Sequence, residues 1–374
     1  MDTSTLTARL KAEANRLGFS QAGVCPAVEP PGASRFRDWL DAGYAGEMRY
    51  LEERRDAYQH PSHVLEDARS VMILAMNYRT EQPVEVLPGR GRIARYAWGE
   101  TDYHDLIHAR LKSLASLFRE LVPGANVRGV VDTAPLLERE FAQLAGLGWV
   151  GKNTLLLNKQ DGSYFFLAAL LTDLELAYDA PHELDHCGTC RACLDACPTD
   201  AFPQPYVMDA TRCISYLTIE LRDPIPAELR TGMGDWLFGC DICQEVCPWN
   251  RRAPQATEAA FASSPDTNPV NLIELFSLDD DSFRQRFRHT PLWRSKRRGL
   301  LRNAAIVLGN QRPPQAVHVL IKGLNDSEPL IRGACAWALG KFGTDETRSA
   351  LRARLANENS NVVQAEIQTA LGTS

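Results

Sequence analysis

The stretch "HCGTCRACLDACP", residues 186–198, decides the fold of the middle of the chain. It holds four cysteines, and a second stretch, "CDICQEVCP" at residues 240–248, adds three more. The N-terminus has no hydrophobic signal core, and no later stretch approaches the roughly 18 apolar residues of a membrane span. We therefore expect the chain in the reducing cytoplasm, where clustered cysteines indicate metal binding rather than disulfides.

The cysteine spacing predicts two iron–sulfur clusters. Cys-x2-Cys-x2-Cys-x3-Cys-Pro is the pattern of bacterial two-cluster ferredoxins, in which three thiolates hold one cluster and the fourth reaches another. The second stretch lacks one cysteine, which Cys213 can supply, so eight thiolates suffice for two [4Fe–4S] clusters. The first cluster is assigned Cys187, Cys190, Cys193 and Cys247, and the second Cys197, Cys213, Cys240 and Cys243. Structural zinc, with two cysteine pairs per ion, is the alternative; Cys25 and Cys335 are interpreted as ordinary buried thiols.

The remaining sequence predicts a multi-domain chain of α+β and α architecture. Residues 1–175 combine a helical pattern at 105–122 with buried strands at 70–76 and 127–133, which favours an α/β domain. Residues 176–265 are rich in cysteine and proline, which predicts a small ferredoxin-like domain held together by its clusters.

Residues 270–374 predict HEAT-like helical repeats. Three similar helices close with Gly309, Gly340 and Gly372, at spacings of 31 and 32 residues. A fixed period in this range, with two helices per unit, is typical of a short helical solenoid. An accidental similarity of three alanine-rich helices is the alternative.

The charge of individual segments says more about binding partners than the net charge of the whole chain. The formal net charge of −6 argues weakly against a nucleic-acid partner, yet the segment 282–302 carries eight arginines and lysines and no acidic residue. Such a patch can bind phosphates within an acidic protein, although a solvated helix face also explains it. No Gly-x-Gly-x-x-Gly motif is present, which disfavours a Rossmann-bound cofactor. These patterns alone indicate a reductase whose first segment holds an unidentified centre.

Four further segments carry a family resemblance. They are "RYAWGETDYHDLIHARL" (95–111), "VDTAPLLERE" (131–140), "GLGWVGKNTLLLN" (146–158) and "GSYFFLAALLTD" (162–173). With the cysteine pair and the repeats, in this order along nearly the whole chain, they closely resemble the epoxyqueuosine reductases. The resemblance implies reduction of epoxyqueuosine to queuosine at the wobble position of tRNA, the last step of queuosine biosynthesis, with cobalamin reduced through the two clusters.

The resemblance also implies roles for individual residues. It assigns the proton donor to Asp132, and the apolar residues before it predict that burial raises its pKa. No Asp-x-His-x-x-Gly motif occurs, so cobalamin is expected to bind without an axial protein ligand, and His104 is interpreted as structural. Lys296, Arg297 and Arg298 are the candidates for contacts with anticodon-stem phosphates. The expected cobalamin contacts are Arg95, Tyr96, Ala97, Lys152, Asn153, Ser163, Ser215 and Tyr216.

Two other function classes account for only part of the sequence. A reductase of small organohalides would use the same cofactors but would leave the basic segment and the repeats without a role. A non-catalytic electron carrier would leave the long N-terminal segment unexplained. We expect a monomer without membrane association that takes electrons from a donor the sequence does not identify.

Overall fold

The computed structural model describes residues 1–264 and 266–372. Its helices are α1 (Thr3–Arg16), α2 (Ala33–Asp41), α3 (Arg49–Glu53), α4 (Tyr103–Leu121), α5 (Glu138–Leu144), α6 (Ala192–Asp195), α7 (Ile214–Ile219), α8 (Ala227–Arg230), α9 (Ile242–Glu245), α10 (Leu272–Leu275), α11 (Asp280–Phe287), α12 (Lys296–Gln311), α13 (Val317–Gly323), α14 (Pro329–Phe342), α15 (Asp345–Leu355) and α16 (Asn361–Leu371). Its strands are β1 (Gln21–Pro26), β2 (Ser70–Asn77), β3 (Arg90–Ile93), β4 (Val127–Val130), β5 (Trp149–Val150), β6 (Leu156–Leu157), β7 (Phe165–Thr172), β8 (Trp236–Phe238) and β9 (Val270–Asn271). Within the described ranges, no helix combines the length and the apolar character that crossing a membrane requires.

The chain divides into two compact units, each built from three stretches. Unit 1 contains residues 1–80, 101–210 and 242–261, and unit 2 contains residues 81–100, 211–241 and 262–374. The three consecutive domains expected from the sequence stay a prediction. The ends of two of them, residue 265 and residues 373–374, lie outside the described residues.

Unit 1 is built on a four-stranded antiparallel sheet of order β1-β2-β7-β4. The central strands β2 and β7 are buried along nearly their whole length, so both faces are covered. A strand buried on both faces has a continuous apolar sequence whether its neighbours are parallel or antiparallel. The expected layering of helices on a sheet is therefore present, but the sheet is not the parallel one that alternating helices and strands commonly form.

Helix α4 carries Tyr103 and His104 in its first turn. The side chain of Asp102 caps its N-terminus by accepting a hydrogen bond from the His104 N–H at 3.0 Å. The buried positions Ile107, Leu111, Leu114 and Phe118 recur at three- and four-residue spacing, so one face packs on α1 and β4. Strand β4 ends at Val130. Because α4 packs on β4, the first turn of α4 meets the segment that follows the strand, where His104 contacts Asp132.

Unit 2 joins a small sheet of order β8-β3-β9 to the helical repeats α12 to α16. Helix α12 packs on α14, and α14 packs on α16. Gly309 and Gly340 occupy equivalent places: a Cβ at Gly309 would lie 2.9 Å from the Ala338 Cα, and one at Gly340 would lie 3.0 Å from the Ala370 Cα. Gly372 instead ends α16 with a positive φ of 71°. The expected repetition is present, although its third glycine has a different role.

Candidate active site

The four cysteines assigned to the first cluster are gathered within unit 1. Cys193 lies on α6, Cys247 follows α9, and α6 packs against α9. The pKa of Cys193 is raised to about 11, first by burial and then by the negative charges of Cys247 and Cys187. Burial also raises the pKa of Cys247, and the charges of Cys187 and Cys190 raise it further. The thiolates would therefore repel one another unless a cationic metal centre neutralised them.

A single metal ion and a [4Fe–4S] cluster require different distances between their thiol ligands. Within residues 1–264 and 266–372, no three His, Cys, Asp or Glu side chains are grouped closely enough to hold one metal ion. Tetrahedral zinc, with Zn–S distances of roughly 2.3 Å, would bring its ligands within roughly 4 Å of each other. In a [4Fe–4S] cluster each thiolate binds a different iron, so the ligands lie farther apart.

The cysteines assigned to the second cluster are distributed over both units. Cys197 and Cys243 belong to unit 1, and Cys213 and Cys240 belong to unit 2. The Cys197 Sγ accepts a hydrogen bond from the Ala201 N–H at 3.4 Å. Cys213 precedes α7, and Cys240 follows β8. This ligand set stays a prediction.

Aromatic and imidazole rings surround the first cysteine set. Trp149 packs with Cys187, Cys247 and Trp249 in one apolar cluster. The Trp149 ring lies 4.8 Å from that of His186, edge to face. The Trp149 Nε1 and the His186 Nε2 are buried. Burial raises the pKa of the Cys187 thiol, and hydrogen bonds from the Lys152 backbone N–H and the Trp149 indole oppose that rise. Buried donors of this kind are what cluster sulfur atoms accept from, so the surroundings fit an iron–sulfur cluster.

Three expected cobalamin contacts lie in unit 1. The Lys152 Nζ donates to the carbonyl oxygens of Gly188 and Cys190, at 2.5 and 2.9 Å, so its ammonium group holds the first cysteine loop. The buried Asn153 contacts the Cys243 carbonyl through its Nδ2 at 3.5 Å. The buried Ser163 accepts a hydrogen bond from Gln244, on α9, at 3.0 Å. Asn153 and Ser163 therefore lie against the second cysteine stretch.

The other five expected cobalamin contacts lie in unit 2. Arg95, Tyr96 and Ala97 form one 3₁₀ turn after β3. The Arg95 N–H donates to the Asp241 Oδ2 at 2.8 Å, and the two side chains form a buried ion pair. Ser215 and Tyr216 lie in the first turn of α7. Their role in binding cobalamin stays a prediction.

Asp132 lies in a tight turn that follows β4. The Thr133 N–H donates to the Val131 carbonyl at 2.5 Å, and Asp132 has a φ of 36°, which is uncommon for a residue with a side chain. The Asp132 side chain is 43% exposed. The expectation that Asp132 is buried is therefore wrong, because Val130 and Val131 enter the core while the Asp132 carboxylate is exposed. Strained backbone of this kind is often found at functional sites.

Asp132 accepts hydrogen bonds from two side chains in the first turn of α4. The Tyr103 hydroxyl donates to its Oδ2, and the His104 Nε2 lies 2.7 Å from its Oδ1. The His104 Nδ1 lies 2.6 Å from the Asp102 Oδ1. Burial acts to lower the pKa of His104, but the hydrogen bonds to Asp102 and Asp132 outweigh it and raise the pKa to about 10. His104 is therefore an imidazolium at neutral pH and donates from both nitrogens.

Glu138, at the start of α5, contacts the same turn. Its Oε1 accepts a hydrogen bond from the Asp132 N–H at 2.8 Å. Burial, followed by the negative charge of Asp132, raises the pKa of Glu138 to about 8. A carboxyl group with a raised pKa beside a hydrogen-bonded carboxylate is the arrangement found at acid–base sites.

The basic segment 282–302 is only partly available to a ligand. Arg297 pairs with Asp326 and donates to the Leu278 carbonyl, so its guanidinium holds two repeats together. The buried Arg302 donates to backbone carbonyl groups of the segment after α7. Lys296 and Arg298 are exposed. Partial loss of hydration, and then the charge of neighbouring arginines, lowers the pKa of Lys296.

Comparison with known proteins identifies the family. Family models match for a 4Fe-4S double cluster binding domain at residues 186–250, for epoxyqueuosine reductase QueG, DUF1730, at residues 59–133, and for HEAT repeats at residues 293–372. An epoxyqueuosine reductase of Cellulophaga algicola is 43% identical over 296 residues, which cover 79% of this chain and 95% of that protein. The chain belongs to the epoxyqueuosine reductase family.

Solved epoxyqueuosine reductases have the same fold. One crystal structure, with a tRNA-Tyr epoxyqueuosine-modified stem loop, has a TM-score of 0.93 and 29% identity, covering 99% of this chain and 98% of that one. The enzyme from Bacillus subtilis, with an aspartate-bearing catalytic loop swung out of the active site, has a TM-score of 0.91 and 29% identity, covering 99% of each chain. The predicted family, the iron–sulfur domain and the helical repeats are therefore confirmed.

Within this epoxyqueuosine reductase family member, sequence reasoning missed the residues that contact Asp132. His104 was interpreted as structural, and Tyr103 and Glu138 were not singled out. A local signal existed for two of them, because "DYH" at 102–104 places a capping aspartate two residues before a histidine. Nothing local indicated that this turn meets Asp132, which lies 28 residues beyond His104.

Proposed function

We propose that the chain reduces epoxyqueuosine to queuosine at the wobble position of tRNA. The two cysteine sets would hold two [4Fe–4S] clusters that can supply electrons to bound cobalamin, and Asp132 gives the proton. The observation that carries the proposal is the presence, in one compact unit, of a gathered cysteine set and a hydrogen-bonded acid in a strained turn. The related crystal structure with a modified stem loop supports tRNA as the substrate.

The chain's own residues fit the cofactors to different degrees. The first cysteine set fits a cubane because its thiols act on one another electrostatically within unit 1 and the buried Trp149 packs against two of them. Asn153 and Ser163 fit a cobalamin site because they are buried polar residues against the second cysteine stretch, and electron transfer requires cofactors to be close. Lys152 is not buried, and its ammonium group, like the Ser163 hydroxyl, is already hydrogen-bonded within the protein. Bound cobalamin would supply a strong reductant at the substrate.

Asp132 performs the acid step in this proposal. Its exposed carboxyl group can reach a nucleoside, while Tyr103 and His104 fix its orientation. Cleaving an epoxide carbon–oxygen bond places negative charge on the oxygen, and a positioned acid neutralises that charge as it forms. The Bacillus subtilis enzyme, whose aspartate-bearing catalytic loop is swung out of the active site in one structure, supports an Asp132 turn that can adopt more than one position.

The test uses protein purified without oxygen and supplied with cobalamin. It is mixed with an anticodon stem-loop that carries epoxyqueuosine and with a chemical reductant. Mass spectrometry of the nucleoside should show the loss of one oxygen atom. A chain that holds about eight irons and binds cobalamin, yet leaves the nucleoside unchanged, would disprove the proposed reaction.

The tRNA contact has a test of its own. Lys296→Gln and Arg298→Gln should each weaken stem-loop binding and reduce the salt dependence of its affinity by about one counterion. Arg297→Gln is the matched control, since Arg297 pairs with Asp326 and should instead lower stability, on the order of 2 kcal/mol. Binding that Lys296→Gln and Arg298→Gln leave unaltered would remove both residues from the interface.

A further inference from the structure

Reduction of an epoxide to an alkene needs more protons than one carboxylic acid holds. Two carbon–oxygen bonds break, one carbon–carbon double bond forms, and the oxygen leaves as water. The balance is two electrons and two protons for each oxygen removed. The electrons come from the low-potential donor that a reductase requires, but Asp132 carries at most one proton at a time. The second proton must therefore reach Asp132 during the reaction, either from solvent, to which its carboxylate is exposed, or from a neighbouring acid.

His104 is the side chain placed to do this. Its Nε2 lies 2.7 Å from the Asp132 Oδ1, and its Nδ1 lies 2.6 Å from the Asp102 Oδ1. The imidazole is fixed from three sides, because the Tyr103 ring stacks on it with 4.1 Å between ring centres. His104 is 29% exposed at its side chain, so water can reprotonate it. An aspartate, an imidazole and a second aspartate thus form one hydrogen-bonded chain that ends at the proposed acid.

We propose that Asp102 and His104 form a relay that supplies protons to the substrate oxygen through Asp132. The inference rests on the proposed role of Asp132. His104 passes its Nε2 proton to the Asp132 Oδ1, and Asp132 passes a proton to the oxygen released from the epoxide. Asp102 accepts a hydrogen bond from the His104 Nδ1–H and so fixes the orientation of the imidazole ring. His104 and Asp102 are positioning residues, since they act through Asp132.

The direction of transfer follows from relative basicity. In the resting site the Asp132 carboxylate is stabilised by two donors, so it does not take the proton spontaneously. An alkoxide is a far stronger base than imidazole, so the proton moves once charge develops on the oxygen. Water then reprotonates His104, and the second carbon–oxygen bond breaks with a second proton delivered by the same route.

The groups that set the charge of His104 come from three segments. Asp102 precedes α4, Asp132 follows β4, and Glu138 begins α5, while Tyr103 covers the ring. Arg139 acts on Glu138, not directly on His104. The two aspartates raise the pKa of His104 to about 10 against the opposing effect of burial. The His104 imidazole is therefore charged across the neutral pH range. Removing the Asp102 carboxylate should lower the pH at which His104 loses its proton.

The test is the pH dependence of a single turnover with the holoenzyme and the epoxyqueuosine stem-loop. In the wild type, the rate should be insensitive to His104 ionisation at neutral pH. Asp102→Asn should move the alkaline decline to lower pH, with a tenfold fall in rate per pH unit above the new midpoint. His104→Gln should slow the reaction by about 10²-fold or more. Imidazole added to His104→Ala should restore part of the rate.

Matched controls lie on the same helix. His108 is exposed one turn beyond His104, and Asp105 is exposed in the same first turn as Asp102. His108→Gln and Asp105→Asn should keep the wild-type rate and profile. If His104→Gln does not fold with its clusters, Asp102→Asn alone decides the question.

Two outcomes separate this inference from the proposed function. A wild-type pH profile in Asp102→Asn, together with no rescue by imidazole, would overturn the relay while leaving Asp132 as the donor. If Asp132→Asn also turned over at the normal rate, the proposed proton donor itself would fail.

Discussion

The cysteine region and the Asp132 region of unit 1 handle charge in opposite ways. Around Cys193 and Cys247 the thiols are partly or fully buried, and their pKa values are raised by burial and by one another. Around Asp132 the carboxylate is exposed and accepts hydrogen bonds from Tyr103 and His104. The first region is stable as thiolates only with a metal centre, whereas the second keeps its charge with protein groups alone. Under the proposed function, the first cluster and the proton donor would therefore lie at separate places in unit 1.

The largest effect should follow from removing a cluster ligand. Cys247→Ser should lose the first cluster, because three remaining thiolates repel one another and leave one iron without its ligand. Iron content should fall from about eight to about four per chain, or lower if the unit unfolds. Cys25→Ala, which deletes a buried thiol outside the clusters, should keep its iron. Full iron in Cys247→Ser would contradict the ligand assignment.

Removing the acid should leave the cysteine region intact. Asp132→Asn cannot donate a carboxylic proton, so single-turnover reduction of the nucleoside should slow by about 10² to 10⁴-fold. Iron content and bound cobalamin, measured on the same sample, should match the wild type. An accompanying loss of iron would show that the two regions are not independent.

The environment of the first cluster should respond to a buried indole. Trp149→Phe removes a buried indole N–H that acts on the Cys187 thiol. Hydrogen bonds to cluster sulfur stabilise the reduced state, so the reduction potential of this cluster should fall. Trp249→Phe, in the same apolar cluster, is the control for lost ring packing. Electrochemistry that finds equal potentials in Trp149→Phe and the wild type would rule out this hydrogen bond.

The smallest effect concerns Glu138. Its pKa is raised from 4.5 to about 8, so its contribution to stability is complete below about pH 4.5 and is lost as the pH rises through 8. The apparent melting temperature of the wild type should therefore fall between pH 5 and 8 by a few degrees more than that of Glu138→Gln. Glu140→Gln, on the same helix but paired with Arg35, should keep the wild-type slope. Equal slopes in all three proteins would argue against the raised pKa.

The sequence was informative where the determining residues are neighbours in the chain. The cysteine spacing, the repeat period and the apolar runs of β2 and β7 are local patterns, and the elements they predict are present. It was less informative where partners come from distant segments. The exposure of Asp132 depends on a turn, its contact with His104 depends on how α4 packs on β4, and Arg297 meets Asp326 only after the repeats stack. The sequence of a basic segment does not show which of its side chains are available to a ligand and which, like Arg297, are engaged in an ion pair.

The close helix contacts at Gly309 and Gly340 affect how successive repeats are oriented. A methyl group at either position would force neighbouring helices apart, because the nearest obstacle includes backbone that cannot rotate away. In a linear stack each layer takes its orientation from the one before it, so an angular error at one joint is inherited by every later layer. The absence of a side chain at Gly309 and at Gly340 therefore affects the curvature of the helical repeats.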